Sequence, residues 1–80
     1  MSTERIRRKT LRIGEIIANK NPSISKQIFS VGDVQKLPRE VRKIIVEELG
    51  NELCSKGLNQ NDEPNDYGLE IEDLIDTCDL

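Results

Sequence analysis

A spacing of three and four residues recurs in three stretches of this chain: Ile6, Thr10, Ile13 and Ile17; Val41, Ile45, Leu49 and Leu53; and Ile71, Leu74, Ile75 and Cys78. That period places each set on one face of an α-helix and is foreign to a strand, whose side chains alternate every second residue. The spacing predicts helices over residues 3–19, 38–56 and 69–78. In the first, Ile16 widens the stripe, Leu11 lies off it, Ser2 or Thr3 can cap it, and Asn19-Lys20-Asn21-Pro22 ends it. Gly14 weakens that helix by about 1 kcal/mol relative to Ala. In the second, Pro38 fits the first helical position, Ile44 and Cys54 flank the apolar face, and Gly57 is placed for a left-handed end. Gly50 is unfavourable inside that helix and is read as a point where another element comes close.

The segment between the first two helices is ambiguous. Ile24 and Ile28, behind Pro22 and Ser23, suit a short helix, whereas "QIFSV" suits a strand on β-propensity. Ser30 and Asp33 have the spacing of a capping box. The expectation for residues 22–37 is one or two short helical turns. Residues 58–68 read as a loop with turns at Glu63-Pro64-Asn65 and Tyr67-Gly68. The expected fold is therefore all-α, a single small domain over residues 1–80. It is a small bundle of three main helices with a short helical or irregular middle segment. The faces of residues 6–17, 41–53 and 71–78 would share one core. That core must come from 22 Ile, Leu and Val residues, because Phe29 and Tyr67 are the only aromatics. A chain this short buries only about 60% of its unfolded surface, so association with a partner or a second copy is expected on energetic grounds.

Charge is divided along the chain. Residues 1–43 carry a net +7 and residues 44–80 a net −10, which together give the overall −3. Residues 57–80 hold eight carboxylates and no Lys or Arg. An apolar stripe runs through them, so the tail is expected to be ordered rather than merely solvating. Asp73, Asp76 and Asp79 fall in the middle and last turns of its helix, where the helix dipole disfavours anions by about 0.3–1 kcal/mol each. Something other than helix stability is expected to favour acids there. The candidate docking face for a basic partner is Glu63, Asp66, Tyr67, Glu70, Asp73 and Asp76; the plain alternative is a solubilising face. The opposite charge gathers in Arg5, Arg7, Arg8, Lys9 and Arg12, candidates for contact with nucleic-acid phosphates. They equally suit a solvated helix face or an in-chain match for the acidic C-terminus. No aromatic lies among them, which argues against stacking on single strands.

Most site chemistry is missing from the composition. There is no histidine, the commonest general base, and two cysteines alone fall short of a four-ligand zinc site. No phosphate-cradling glycine loop is present. Gly68 taken as the loop glycine of an EF-hand puts Leu74 where the bidentate Glu is required, so that motif fails. No catalytic residue, metal or cofactor is expected. No stretch approaches the roughly 20 apolar residues of a membrane span, and Arg12 and Glu15 interrupt any signal-like run. A cytoplasmic protein with Cys54 and Cys78 reduced is the simplest reading.

The segment "LPREVRKIIVEELGNELCSKGLNQNDEPNDYGLEIEDLID", residues 37–76, resembles the small immunity proteins of bacterial toxin–immunity systems, including those of contact-dependent inhibition. The shared pattern is a helix opened by Leu-Pro, a Lys-Gly-Leu end, an Asn/Asp/Glu-Pro-Asn turn and an acidic helix. The resemblance implies a non-catalytic protein forming a tight one-to-one complex with a toxin domain, often a nuclease. It transfers no residue role and does not cover the basic N-terminus. The alternative is a small DNA-binding regulator or antitoxin using that N-terminal helix. Head-to-tail pairing into a homodimer also suits the divided charge.

Overall fold

The structure is a computed structural model that describes residues 2–78; Asp79 and the side chains of Ser2 and Thr3 lie outside the described residues. It is all-α, with helices α1 (Ser2–Ile17), α2 (Pro22–Val31), α3 (Arg39–Lys56) and α4 (Asp66–Cys78), and a 3-10 turn over Val34–Lys36. The described residues form no strand, only an isolated bridge between Leu58 and Pro64.

In α1 the expected stripe points inward. Thr10, Ile13 and Ile17 are fully buried, while Leu11 is exposed. Thr10 has its own reason to sit in an apolar stripe: its hydroxyl accepts the buried Val34 N–H at 3.0 Å and so anchors the 3-10 turn.

The middle segment is more helical than its sequence suggests. α2 runs ten residues, past the one or two turns expected, and no part of "QIFSV" is extended. Its ends explain why. Asn21 caps it by accepting the Ile24 N–H at 3.3 Å, Pro22 opens it, and Gly32 closes it in the left-handed region at φ 76°. Local β-propensity loses to these caps and to burial of Ile24 and Ile28. Ser30 falls inside α2, so no capping box forms; Asp33 caps the 3-10 turn instead, accepting the Gln35 N–H at 2.9 Å.

Gly14, not Gly50, is where another element comes close. A Cβ at Gly14 would stand 2.7 Å from Cε1 of Phe29 on α2, whereas nothing lies within 4 Å of one at Gly50. The Ser25 hydroxyl donates to the Gly14 carbonyl at 2.9 Å across the same approach.

Helix α3 begins one residue later than expected, with Pro38 at the cap position. Ile45 and Leu49 are fully buried, but Ile44 and Cys54 are exposed rather than flanking the core. The buried face turns the other way, towards Val46 and the charged Glu52. Gly57 is not left-handed; at φ −96° it needs no glycine for conformation. It needs one for space, since its Cβ would lie 2.9 Å from the Cα of Gly68.

That crossing shifts the start of α4 to Asp66, three residues early, and puts Tyr67-Gly68 in its first turn rather than in a loop turn. Asn65 organises the junction. Its side chain accepts the Gly68 N–H at 2.8 Å and donates to the Lys56 carbonyl at 3.0 Å, and its backbone N–H reaches the Gly57 carbonyl at 2.8 Å. At the far end Arg42 of α3 donates to the Cys78 carbonyl at 3.1 Å, so α3 and α4 run antiparallel. Ile71, Leu74 and Cys78 join Ile13, Ile17, Ile45 and Leu49 in a single core, completed by Ile24, Ile28, Val34 and Leu37 of the middle segment.

Candidate partner-docking face

Amphipathic spacing carries Ile71, Leu74 and Cys78 into the core and leaves the acids of α4 on the two edges beside that face. The inner edge faces α1. There Arg12 donates to Glu70 through both arms of a fork, Nε to Oε2 at 3.0 Å and Nη2 to Oε1 at 3.1 Å, and Lys9 Nζ lies 2.9 Å from Asp73 Oδ2. The carboxylate of Glu70 raises the Arg12 guanidinium pKa above its ordinary value. The same guanidinium lies over the Tyr67 ring, 5.9 Å from its centroid.

Tyr67 links three helices. Its hydroxyl donates to Glu52 Oε2 at 2.7 Å, and Lys20 Nζ sits 3.4 Å from Glu52 Oε1. Glu52 is only 6% exposed and would be costly to bury ionised without these partners. The Tyr67 hydrogen bond, ahead of Lys20, holds its carboxyl below the ordinary value against the opposing effect of burial. Burial, then the bond to Glu52, push the Tyr67 phenol from 10.0 up to about 12.

Three of the six candidate docking residues, Tyr67, Glu70 and Asp73, are thus engaged within the chain, and they are matched by Lys9 and Arg12 from the basic run. The divided charge is partly an internal seam. Arg8 pairs with Glu4 of its own helix at 3.3 Å. Arg5 and Arg7 are exposed and form no ion pair among the described residues.

The other three candidates form no ion pair among the described residues. Glu63 is exposed on the loop, its backbone tied to Asn59, and Asp66 is exposed in the first turn of α4, where the dipole favours it. Asp76 is exposed and has no hydrogen bond or ion pair among the described residues. Beside it, Glu72, Leu53 and Ile75 line a shallow groove between α3 and α4. Glu72 and the exposed Leu69 are docking candidates the sequence reading passed over. The available signal was their spacing from Asp76, four and seven residues, which puts all three on one face.

The carbonyls at the end of α4 meet donors from elsewhere in the chain. Arg42 and Gln35 donate to the carbonyls of Cys78 and Thr77, at 3.1 and 3.0 Å, so α3 supplies the positive charge that the helix end lacks. Cys54 is exposed and Cys78 buried, both as free thiols, and burial pushes the Cys78 thiol up to about 11. Among the described residues no group of three or more Cys, Asp or Glu is placed to hold a metal ion, and no helix is long and apolar enough to cross a membrane. Comparison with protein-family models, curated proteins and solved structures finds no match to this chain.

Proposed function

We propose that this chain is a non-catalytic binding protein of the inhibitor or immunity type, acting in the cytoplasm and docking a basic protein domain on the outer edge of α4. The observation that carries the reading is the state of Glu72 and Asp76. Both are exposed and form no ion pair among the described residues, and they border the half-buried apolar side chains of Leu53 and Ile75. Apolar surface ringed by unpaired acids suits a basic partner, because the charges steer encounter while the apolar residues supply contact area. Glu63 and Asp66 extend the same sign of charge beyond the start of the helix. Tyr67, Glu70 and Asp73 then hold the face in position rather than forming its contact surface. A regulator that binds DNA through α1 would keep Arg5, Arg7 and Arg8 as contacts, with Lys9 and Arg12 drawn into the seam with α4.

The test is capture of partners by the tagged chain from its native cells, at low and moderate salt, with protein and nucleic acid both identified. The wild type is compared with Glu72→Lys/Asp76→Lys. A stoichiometric basic protein held by the wild type and lost by the double variant is the expected result. Retention by both would overturn the assignment of the edge. Nucleic acid held at low salt and lost with Arg5→Ala/Arg7→Ala would favour the regulator.

A further inference from the structure

Five large apolar side chains are exposed among the described residues, and three of them line one groove between α1 and α2: Leu11 at 39%, Phe29 at 46% and Val31 at 40%. Arg7 and Lys36 stand on its rim, and neither has an ion-pair partner among the described residues. Asp33, the one acid beside them, spends a carboxylate oxygen on the Gln35 N–H at 2.9 Å. The ring of Phe29 lies where a side chain at Gly14 would be, so a glycine in the middle of α1 is what seats it. A helix gives up propensity there, yet the seated ring stays nearly half exposed. The glycine serves the close approach of α1 and α2, but the exposed part of the ring has no packing role within the chain. Together they hold an aromatic platform at the surface, the kind of group that anchors interfaces.

A surface of complementary chemistry exists on the same molecule. On α4, Leu69 is 56% exposed, and Glu72 and Asp76 follow it at three and seven residues with no ion pair among the described residues. Gly14, which faces α2, and Lys9 and Arg12, which face α4, lie on well-separated sides of α1, so one copy cannot fold one surface onto the other. We propose that the α1–α2 groove of one copy takes the outer edge of α4 from a second copy. Leu69 then packs on the Phe29 platform, and Glu72 and Asp76 reach Arg7 and Lys36. The contact joins two different surfaces, so it closes into a ring or extends as a chain rather than making a two-fold dimer. Both surfaces are small, and association belongs to the weak, salt-sensitive class. The inference rests on the α4 edge being free, as the proposed function does, but needs no foreign partner.

Sedimentation of the full chain at low salt and rising concentration tests it. The expected result is a mass that grows with concentration and falls back as salt is added. Arg7→Glu/Lys36→Glu and Glu72→Lys/Asp76→Lys should each stay monomeric alone. All four positions are exposed, and unchanged helicity and melting would show that folding is intact. An equimolar mixture of the two double variants should regain association, because each supplies the surface the other lacks. A wild type that stays monomeric into the high micromolar range overturns the proposal. So does an Asp76 and Glu72 variant that associates like the wild type, or a mixture that stays monomeric. Loss of self-association in the Arg7 and Lys36 variant, with foreign-partner capture retained, separates this inference from the docking function.

Discussion

Glu70 and Asp73 on one edge of α4 each touch a cation within 3.1 Å, while Glu72 and Asp76 on the other edge touch none among the described residues. These acids are neighbours in sequence, and what separates them is rotation about the helix axis, about 100° per residue. Counting acids therefore says little about which are spent on the fold and which remain available to a partner. Nor does the inner edge owe its strength mainly to charge. The side chains of Arg12, Glu70 and Asp73 are 40%, 41% and 57% exposed, and pairs in that setting contribute about 0.2–1 kcal/mol each. The seam between α1 and α4 is held more firmly by the shared core, and the Tyr67–Glu52 bond ties α4 to α3 beside it.

The contrast between the edges depends on the register of α4 against α3, and Gly68 sets that register. A Cβ at Gly68 would collide with the carbonyl oxygen of Gly57, a backbone atom that no side-chain rotation can move aside. Gly68→Ala should cost about 3 kcal/mol and lower Tm by more than about 10 °C, read by thermal circular dichroism. Gly50→Ala makes the control, for the space around it is open. It should raise stability by about 0.5–1 kcal/mol. Equal effects at the two glycines would break the account of how α4 is placed.

Tyr67→Phe probes the inner edge next. It leaves the carboxylate of Glu52, 6% exposed, without its shortest hydrogen bond, at a cost of about 1–3 kcal/mol. The pH dependence follows from the two shifts. The Glu52 pKa is lowered from 4.5, so its contribution is present above that pH and is lost as pH falls through the folded-state value. The Tyr67 pKa is raised from 10.0 to about 12, so its contribution is present below pH 10 and disappears as pH climbs towards 12. Urea midpoints of the wild type should fall at both extremes, and the gap between wild type and Tyr67→Phe should narrow there. A gap constant with pH would show that the bond does not link the two groups. Cys78 also loses its proton with difficulty, towards 11, but it is common to both chains and cancels in the difference.

Much of this arrangement can be read from spacing, and the failures have identifiable causes. The stripes of α1, α3 and α4 point where their periodicity directs them, because aliphatic burial dominates helix orientation. Short helical turns are the right class for the middle segment but too short, since the Asn21-Pro22 start and the Gly32 stop, both visible in the sequence, bracket ten helical residues. The inward turn of Glu52 was not legible. A carboxylate enters a core only where donors meet it, and its donors come from Lys20 and Tyr67, on other elements. The same holds for Gly14 and Gly57, whose roles depend on Phe29 and Gly68 approaching from elsewhere in the chain. The acidic candidates divided for this reason too, since the partners of Glu70 and Asp73 lie on the distant α1.

The smallest effects give the most direct comparison of the two edges. Glu70→Gln removes a forked pair with Arg12 and should destabilise by up to about 1 kcal/mol. Asp76→Asn should have the opposite sign. Asp76 is exposed in the last turn of α4, next to carbonyls that carry the negative end of the dipole, and it has no ion pair among the described residues to lose. Removing its charge should therefore stabilise the chain by about 0.3–1 kcal/mol, a rise in Tm of roughly 1–8 °C. Added salt should shrink both effects, because both are electrostatic and near the surface. If Asp76→Asn instead destabilised the chain, Asp76 would be serving the fold and the outer edge would lose its claim to be free. A stabilising substitution that also weakened partner binding would show the reverse: an acid kept at a position the helix itself disfavours, because the surface it creates has a use.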